Sequence, residues 1–243
     1  MTVGGRFAAL TVWFICGMLV LLVITAAGRE WARRASLEAE AQQLSEAPFT
    51  REGSKPVIVV TGSSTVRLWH SSAATFPEAQ VVNTGFGGST MDSLASHYEG
   101  LIGRFEPDQV FIGSGDNDLA RGRTQREVLV DTVSILDRIA EQLPGTSVAI
   151  IAAKPSVDRW YLRTEYEKLN AGFQELAAHR SDVEFVDVWH PLLDADGQVR
   201  PELYGSDGLH LNANGYRIYA AALGAAGDAP ALSGRDVRAA ERR

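Results

Sequence analysis

Five short runs rich in β-branched residues, separated by helical patterns, constrain this chain more than any other feature. They are Val57 to Val60, Val81-Val82, Val110 to Ile112, Val148 to Ile151 and Val183 to Val188. Short apolar runs without clean alternation suit strands covered on both faces, as in a parallel sheet. Between them the periodicity turns helical. Thr124 and Glu127 form a capping-box signature, with Leu129, Val133, Leu136 and Leu143 following on one expected face. Thr164 and Glu167 form a second such signature, predicting a helix to about His179. This alternation implies an α/β sheet with helices on both sides. Residues 55–226 are enough for one such core.

The flanks read differently. No charge interrupts residues 7–27. At about 1.5 Å per residue that stretch matches a bilayer core of roughly 30 Å, so residues 1–27 are expected to be a tail and single-pass membrane anchor. A cleaved signal peptide is the rival reading. Arg6 precedes the run and Thr25-Ala26-Ala27 resembles a small-residue cleavage site, but the run exceeds an ordinary signal core. Arg29, Arg33 and Arg34 lean towards a cytoplasmic domain. The signal-like layout leans towards an extracytoplasmic one, which is the expectation adopted. Residues 28–54 read as a juxtamembrane linker and 227–243 as a disordered tail. Lys plus Arg number 23 against 30 Asp plus Glu, a net charge of -7. That opposes a nucleic-acid partner. The one cysteine, Cys16, excludes an intrachain disulfide and a cysteine-based metal cluster.

In an open parallel sheet, ligands bind outside the carboxyl ends of the strands. Gly62-Ser63-Ser64-Thr65 follows the first run and Asn83 to Thr90, rich in glycine, the second. Gly115-Asp116-Asn117-Asp118 follows the third, and Asp207-Gly208-Leu209-His210 lies beyond the fifth. A hydroxyl, a glycine-rich amide loop, a carboxamide and an Asp/His pair thus meet at one edge. These are the parts of a serine acyl-transfer site. The glycines do not make a dinucleotide fingerprint, because the place of its last glycine is Thr90. Two other readings stand beside this one. Asp116, Asp118, Asp187 and Asp207 could hold Mg²⁺ in a phosphoesterase, and the fold could serve as a membrane-tethered binding module without turnover. Asp187 and His190 repeat the Asp-x-x-His spacing. Trp189 and Pro191 give His190 an apolar setting, whereas His210 opens the last helical pattern, which favours His210 as the base. Trp69, Trp160 and Tyr161, and the loop from Lys154 to Trp160, are candidates for the substrate side of the pocket.

The four segments, in this order from about Val57 to Tyr219, resemble the blocks of the SGNH hydrolases, also called GDSL esterases/lipases. The run from Asp207 to Tyr216 is the most specific match. The resemblance implies a flavodoxin-like, three-layer α/β/α sandwich with a mostly parallel five-stranded sheet. It implies Ser64 as nucleophile, His210 as base and Asp207 as its partner. Ser64, Gly88 and Asn117 are then the oxyanion-hole donors, and no metal or other cofactor takes part. The implied substrates are carboxylic esters: lipid, acyl or acetyl-sugar, with an envelope polysaccharide suiting a membrane-attached domain. The first block departs from the family's usual Gly-Asp-Ser. It reads Gly62-Ser63-Ser64, so two adjacent serines compete, and the third position favours Ser64.

Overall fold

The computed structural model describes residues 3–227. Five strands, β1 (Val57–Gly62), β2 (Gln80–Asn83), β3 (Gln109–Gly113), β4 (Ser147–Ile151) and β5 (Val183–Val186), form one all-parallel sheet in the order β2-β1-β3-β4-β5. Every residue of β1 is buried, as its unbroken Val-Ile-Val-Val run requires of a strand covered on both faces. The fifth run stops short of Val188 as a strand. It ends at Val186, because the Asp187 carboxylate accepts from Trp189 N–H and folds the chain into a turn.

The helices are α1 (Val3–Glu46), α2 (Ser64–Arg67), α3 (Ser72–Thr75), α4 (Met91–Ser96), α5 (Tyr98–Leu101), α6 (Asp116–Ala120), α7 (Gln125–Gln142), α8 (Arg163–Ala178) and α9 (Ala213–Gly227). Right-handed crossovers put the β1-to-β2 connection on one face and the next three on the other. Accordingly α4, α7 and α8 pack side by side, while α3 packs on α9. Trp69, Phe76, Phe111 and Tyr219 interlock through ring contacts of 5.2–6.2 Å. Trp69 is fully buried, so it belongs to this core and does not line a substrate pocket.

Two helix expectations need correction. The Thr124–Glu127 capping box forms and Leu136 is buried as expected, but the rest of the buried face of α7 is Val128, Thr132, Ile135 and Ile139, and Leu129, Val133 and Leu143 are only half-buried. Thr164 does not cap α8. That helix starts at Arg163, and Glu167 pairs with Arg163 one turn back.

The chain divides into two compact units, residues 1–40 and 41–243. In the first, the backbone is helical from Val3. The expected membrane span falls largely on side chains outside the described residues. Among the described residues no helix is long and apolar enough to cross a membrane. The second unit begins inside what reads as linker. Ala41 is fully buried, Arg104 Nη2 donates to the carbonyls of Leu44 and Ala47, and Phe49 packs edge-on against Phe105. The expected tail, 227–243, lies outside the described residues except for Gly227, which ends α9.

Candidate active site

The strand order reverses beside β1, so the carboxyl ends of β1 and β3 form the topological switch point where a crevice opens. Gly62 ends β1 at φ +148, and a Cβ there would lie 2.1 Å from the Gly113 carbonyl oxygen. Only glycine lets the two strand ends approach so closely. Ser63 N–H then donates to that carbonyl at 2.9 Å, and the chain turns directly into α2. The adjacent serines therefore part company. Ser63 caps the turn and is buried, whereas Ser64 starts the helix with its hydroxyl turned towards the loop before α9.

That loop is built for one imidazole. Asp207 Oδ1 accepts from the backbone N–H groups of Leu209 and His210 at 2.9 and 3.0 Å, and Oδ2 lies 2.6 Å from His210 Nδ1. Gly208 sits at φ +63 inside the turn. His210 Nε2 reaches Ser64 Oγ at 2.9 Å. Hydrogen bonding from the His210 ring, then from the two backbone N–H groups, holds the Asp207 carboxyl well below the usual carboxylate range. It stays an anion and fixes the proton on Nδ1, which leaves Nε2 as the acceptor facing the hydroxyl. Downstream, Asn212 Oδ1 accepts from Asn214 and Gly215 N–H and caps α9. Tyr216 OH donates to the Thr65 carbonyl at 2.8 Å, tying α9 to α2 and the histidine turn to the serine turn.

The amide donors come from the other side. Gly88 has φ +73, and its N–H makes no hydrogen bond among the described residues. Three residues of the α6 segment grip its loop. Asn117 Nδ2 donates to the Ser89 carbonyl at 3.0 Å, Arg121 Nη2 to the Gly88 carbonyl at 2.5 Å, and Asp118 accepts from Met91 N–H. Burial pushes the Asp118 carboxyl up to about 6, against the opposing pull of Met91 N–H and Arg123. Arg159 Nη1 bridges Asp116 Oδ2 and Asn117 Oδ1 at 3.2 and 3.1 Å. The site thus combines a hydroxyl, an acceptor imidazole with a carboxylate behind it, and amide donors. Such a set can deprotonate a nucleophile and receive a developing oxyanion.

The competing constellations do not assemble. Asp187 and His190 copy the dyad, with Nδ1 2.6 Å from Oδ2, but His190 is 74% exposed at its side chain and meets no hydroxyl among the described residues. Asp116 pairs with Arg159, Asp118 with Arg123, Asp187 with His190 and Asp207 with His210. No three metal-ligating side chains gather among the described residues. Trp160 stacks on Trp189 and Tyr161 lies exposed. Arg121 carries no signal in the sequence, Asp118 reads there only as a possible metal ligand, and Arg159 only as part of a substrate-side loop. Arg121 reaches the Gly88 carbonyl, Asp118 the Met91 N–H behind the same loop and Arg159 the Asn117 carboxamide, all across long sequence separations that no spacing rule signals.

The sequence model of the GDSL-like Lipase/Acylhydrolase family matches residues 53–218. A comparison with curated proteins finds no match. Among solved structures, a Streptococcus pneumonia protein assigned as a platelet activating factor superposes with a TM-score of 0.69 at 24% identity, covering 85% of this chain and 97% of that one. A GDSL-like lipase from Bacteroides thetaiotaomicron gives 0.64 at 17% identity, covering 79% and 97%. A catalytic mutant of Axe2, an acetylxylan esterase from Geobacillus stearothermophilus, gives 0.60 at 17% identity, covering 72% and 94%. At these identities the likeness establishes the shared fold.

Proposed function

The chain belongs to the GDSL-like Lipase/Acylhydrolase family and is an ester-bond hydrolase, and from that premise we propose that it works through an acyl-enzyme on Ser64. The observation that carries this reading is the continuous line from Asp207 through His210 to Ser64, with contacts of 2.6 and 2.9 Å. His210 Nε2 takes the hydroxyl proton as Ser64 Oγ attacks the ester carbonyl. The tetrahedral oxyanion is received by the backbone N–H groups of Ser64 and Gly88 and the second N–H of Asn117. Ser64 starts α2, so its N–H has no intrahelical partner. His210 then gives the proton to the departing alcohol. Water, deprotonated by the same imidazole, releases the acid and restores the serine.

The substrates we propose are carboxylic esters of a lipid, an acyl chain or an acetylated sugar. Two lines support them: the acylhydrolase family, and a fold shared with an acetylxylan esterase. The apolar run over residues 7–27 supports a single-pass anchor, or a cleaved signal, with the hydrolase domain on the extracytoplasmic side. Labelling with a fluorophosphonate, followed by peptide mapping, tests the mechanism. Modification is expected on Ser64 and lost in Ser64→Ala. A label elsewhere, or full turnover of acetyl and longer acyl esters by Ser64→Ala, would refute it.

A further inference from the structure

Lys154 follows β4 and is turned inward, 5% exposed, beneath the site. Its Nζ donates to the Leu209 carbonyl at 2.6 Å, a short charge-assisted bond. The rest of its segment grips the same turn. Asp158 N–H donates to the Gly208 carbonyl at 3.0 Å, and Tyr204 OH donates to the Pro155 carbonyl at 2.6 Å. Gly208 and Leu209 are the two residues directly before His210. We propose that Lys154 is a positioning residue for His210, its buried ammonium fixing the turn from which the imidazole reaches Ser64. The proposal rests on the acyl-enzyme reading above.

The energetics separate this role from a role in the fold. Among the described residues no carboxylate lies within 4.0 Å of Nζ, so the charge is sealed without an ion pair. The charges that face it are Asp116 from α6, Asp207 from the turn and Arg159 from its own loop. Tyr204 presents its ring 5.5 Å away, and Tyr219 lines the same small cavity. Burial pulls the ammonium down to about 8, against Asp116 and Asp207. A buried charge of this kind weakens a fold, and an apolar side chain of similar volume often serves stability as well or better. What Lys154 supplies that an apolar residue cannot is the hydrogen bond to the Leu209 carbonyl. An error of about 1 Å in the placement of a reacting group can cost a hundredfold in rate.

Lys154→Met in the full chain tests this. The expected result is a kcat lower by about 10–100-fold at neutral pH, KM unchanged, and a Tm equal to or above that of the parent. A parallel fall in Tm and kcat, with residual kcat tracking the folded fraction, would make Lys154 a structural residue and overturn the proposal; so would unchanged kcat. Should the variant fail to fold, the parent protein decides. Its kcat is expected to fall as pH rises through about 8 at constant KM, as the bond to Leu209 loses its charge, and a flat kcat there would overturn the proposal. A dead Ser64→Ala beside a fully active Lys154→Met removes this proposal alone, whereas an active Ser64→Ala removes the site reading and this with it.

Discussion

Asn117 Nδ2 lies 3.0 Å from the Ser89 carbonyl oxygen, while its own carbonyl oxygen takes Arg159 Nη1 at 3.1 Å. The carboxamide is held at both ends, with one N–H spent and the other left for an incoming oxygen. Asn117→Ala is therefore expected to lower kcat by about 10²–10³ with little change in KM, since charge develops on the oxygen only in the transition state. Steady-state kinetics on a chromogenic ester check it. A change confined to KM would mean that Asn117 binds substrate in the ground state.

The adjacent serines give opposite expectations. Ser63 is buried at the cap of a tight turn, and its side chain makes no capping hydrogen bond. Ser63→Ala should keep most activity and cost stability no more than about 1 kcal/mol. Ser64→Ala should keep the Tm and lose turnover. The reverse pattern, read from activity and thermal melts of both variants, would place the nucleophile one residue earlier.

The residues that reach across the sheet edge by their own side chains were legible in sequence, because their order after successive strands places them. The five runs became five parallel strands, and Ser64, Asp207 and His210 lie where the strand order reverses. What failed had a common physical origin. The core face of α7 keeps Leu136 but is otherwise rotated towards Val128, Thr132, Ile135 and Ile139, because apolar residues lie on neighbouring helical rows and the packing of α4 and α8 chooses between them. Thr164 lost its capping role because the loop from Trp160 to Leu162 is already helical and carries the chain into α8 at Arg163. Lys154 reads in sequence as the start of a substrate-side loop; instead it is buried under the site, and its bond there is to Leu209, 55 residues away.

His190 and His210 have the same partner geometry and differ in what their Nε2 meets. An exposed Asp/His pair contributes about 0–1 kcal/mol, so His190→Ala should leave turnover near the parent value and shift stability little. His210→Ala should remove most turnover. Both variants assayed on one ester settle the matter, and substantial activity in His210→Ala would sink the roles given to it and to Asp207.

The start of the hydrolase unit can be probed by truncation. A chain beginning at Ala47 loses the buried Ala41 and the Leu44 carbonyl that Arg104 binds. One beginning at Glu40 keeps them. Losing one charge-assisted hydrogen bond and a small buried side chain costs about 1–3 kcal/mol. The shorter chain should melt several degrees lower, at roughly 2–4 °C per kcal/mol, yet hydrolyse soluble esters at a similar kcat. Equal melting temperatures would show that residues before 47 add nothing to the unit.

Stability and turnover should move in opposite directions above neutral pH. The unfolded chain holds the Lys154 proton to about 10.5, the folded chain only to about 8. Between these values the unfolded state binds more protons, so stability rises with pH. The burial cost, about 3 kcal/mol, is fully present below pH 8 and is relieved as pH climbs towards 10.5. The tyrosines set the upper limit of the window. Burial raises Tyr166, Tyr204, Tyr216 and Tyr219 above their ordinary 10.0, so the unfolded state loses those protons first and stability falls again beyond pH 10. Denaturant midpoints measured from about pH 7.5 to 9.5 should therefore climb in the parent protein while kcat declines, and both should be flat in Lys154→Met. A parent protein whose midpoint does not rise in that window would show that Lys154 is not a desolvated ammonium at neutral pH, and the hydrogen bond to Leu209 would lose the charge on which its hold over His210 depends.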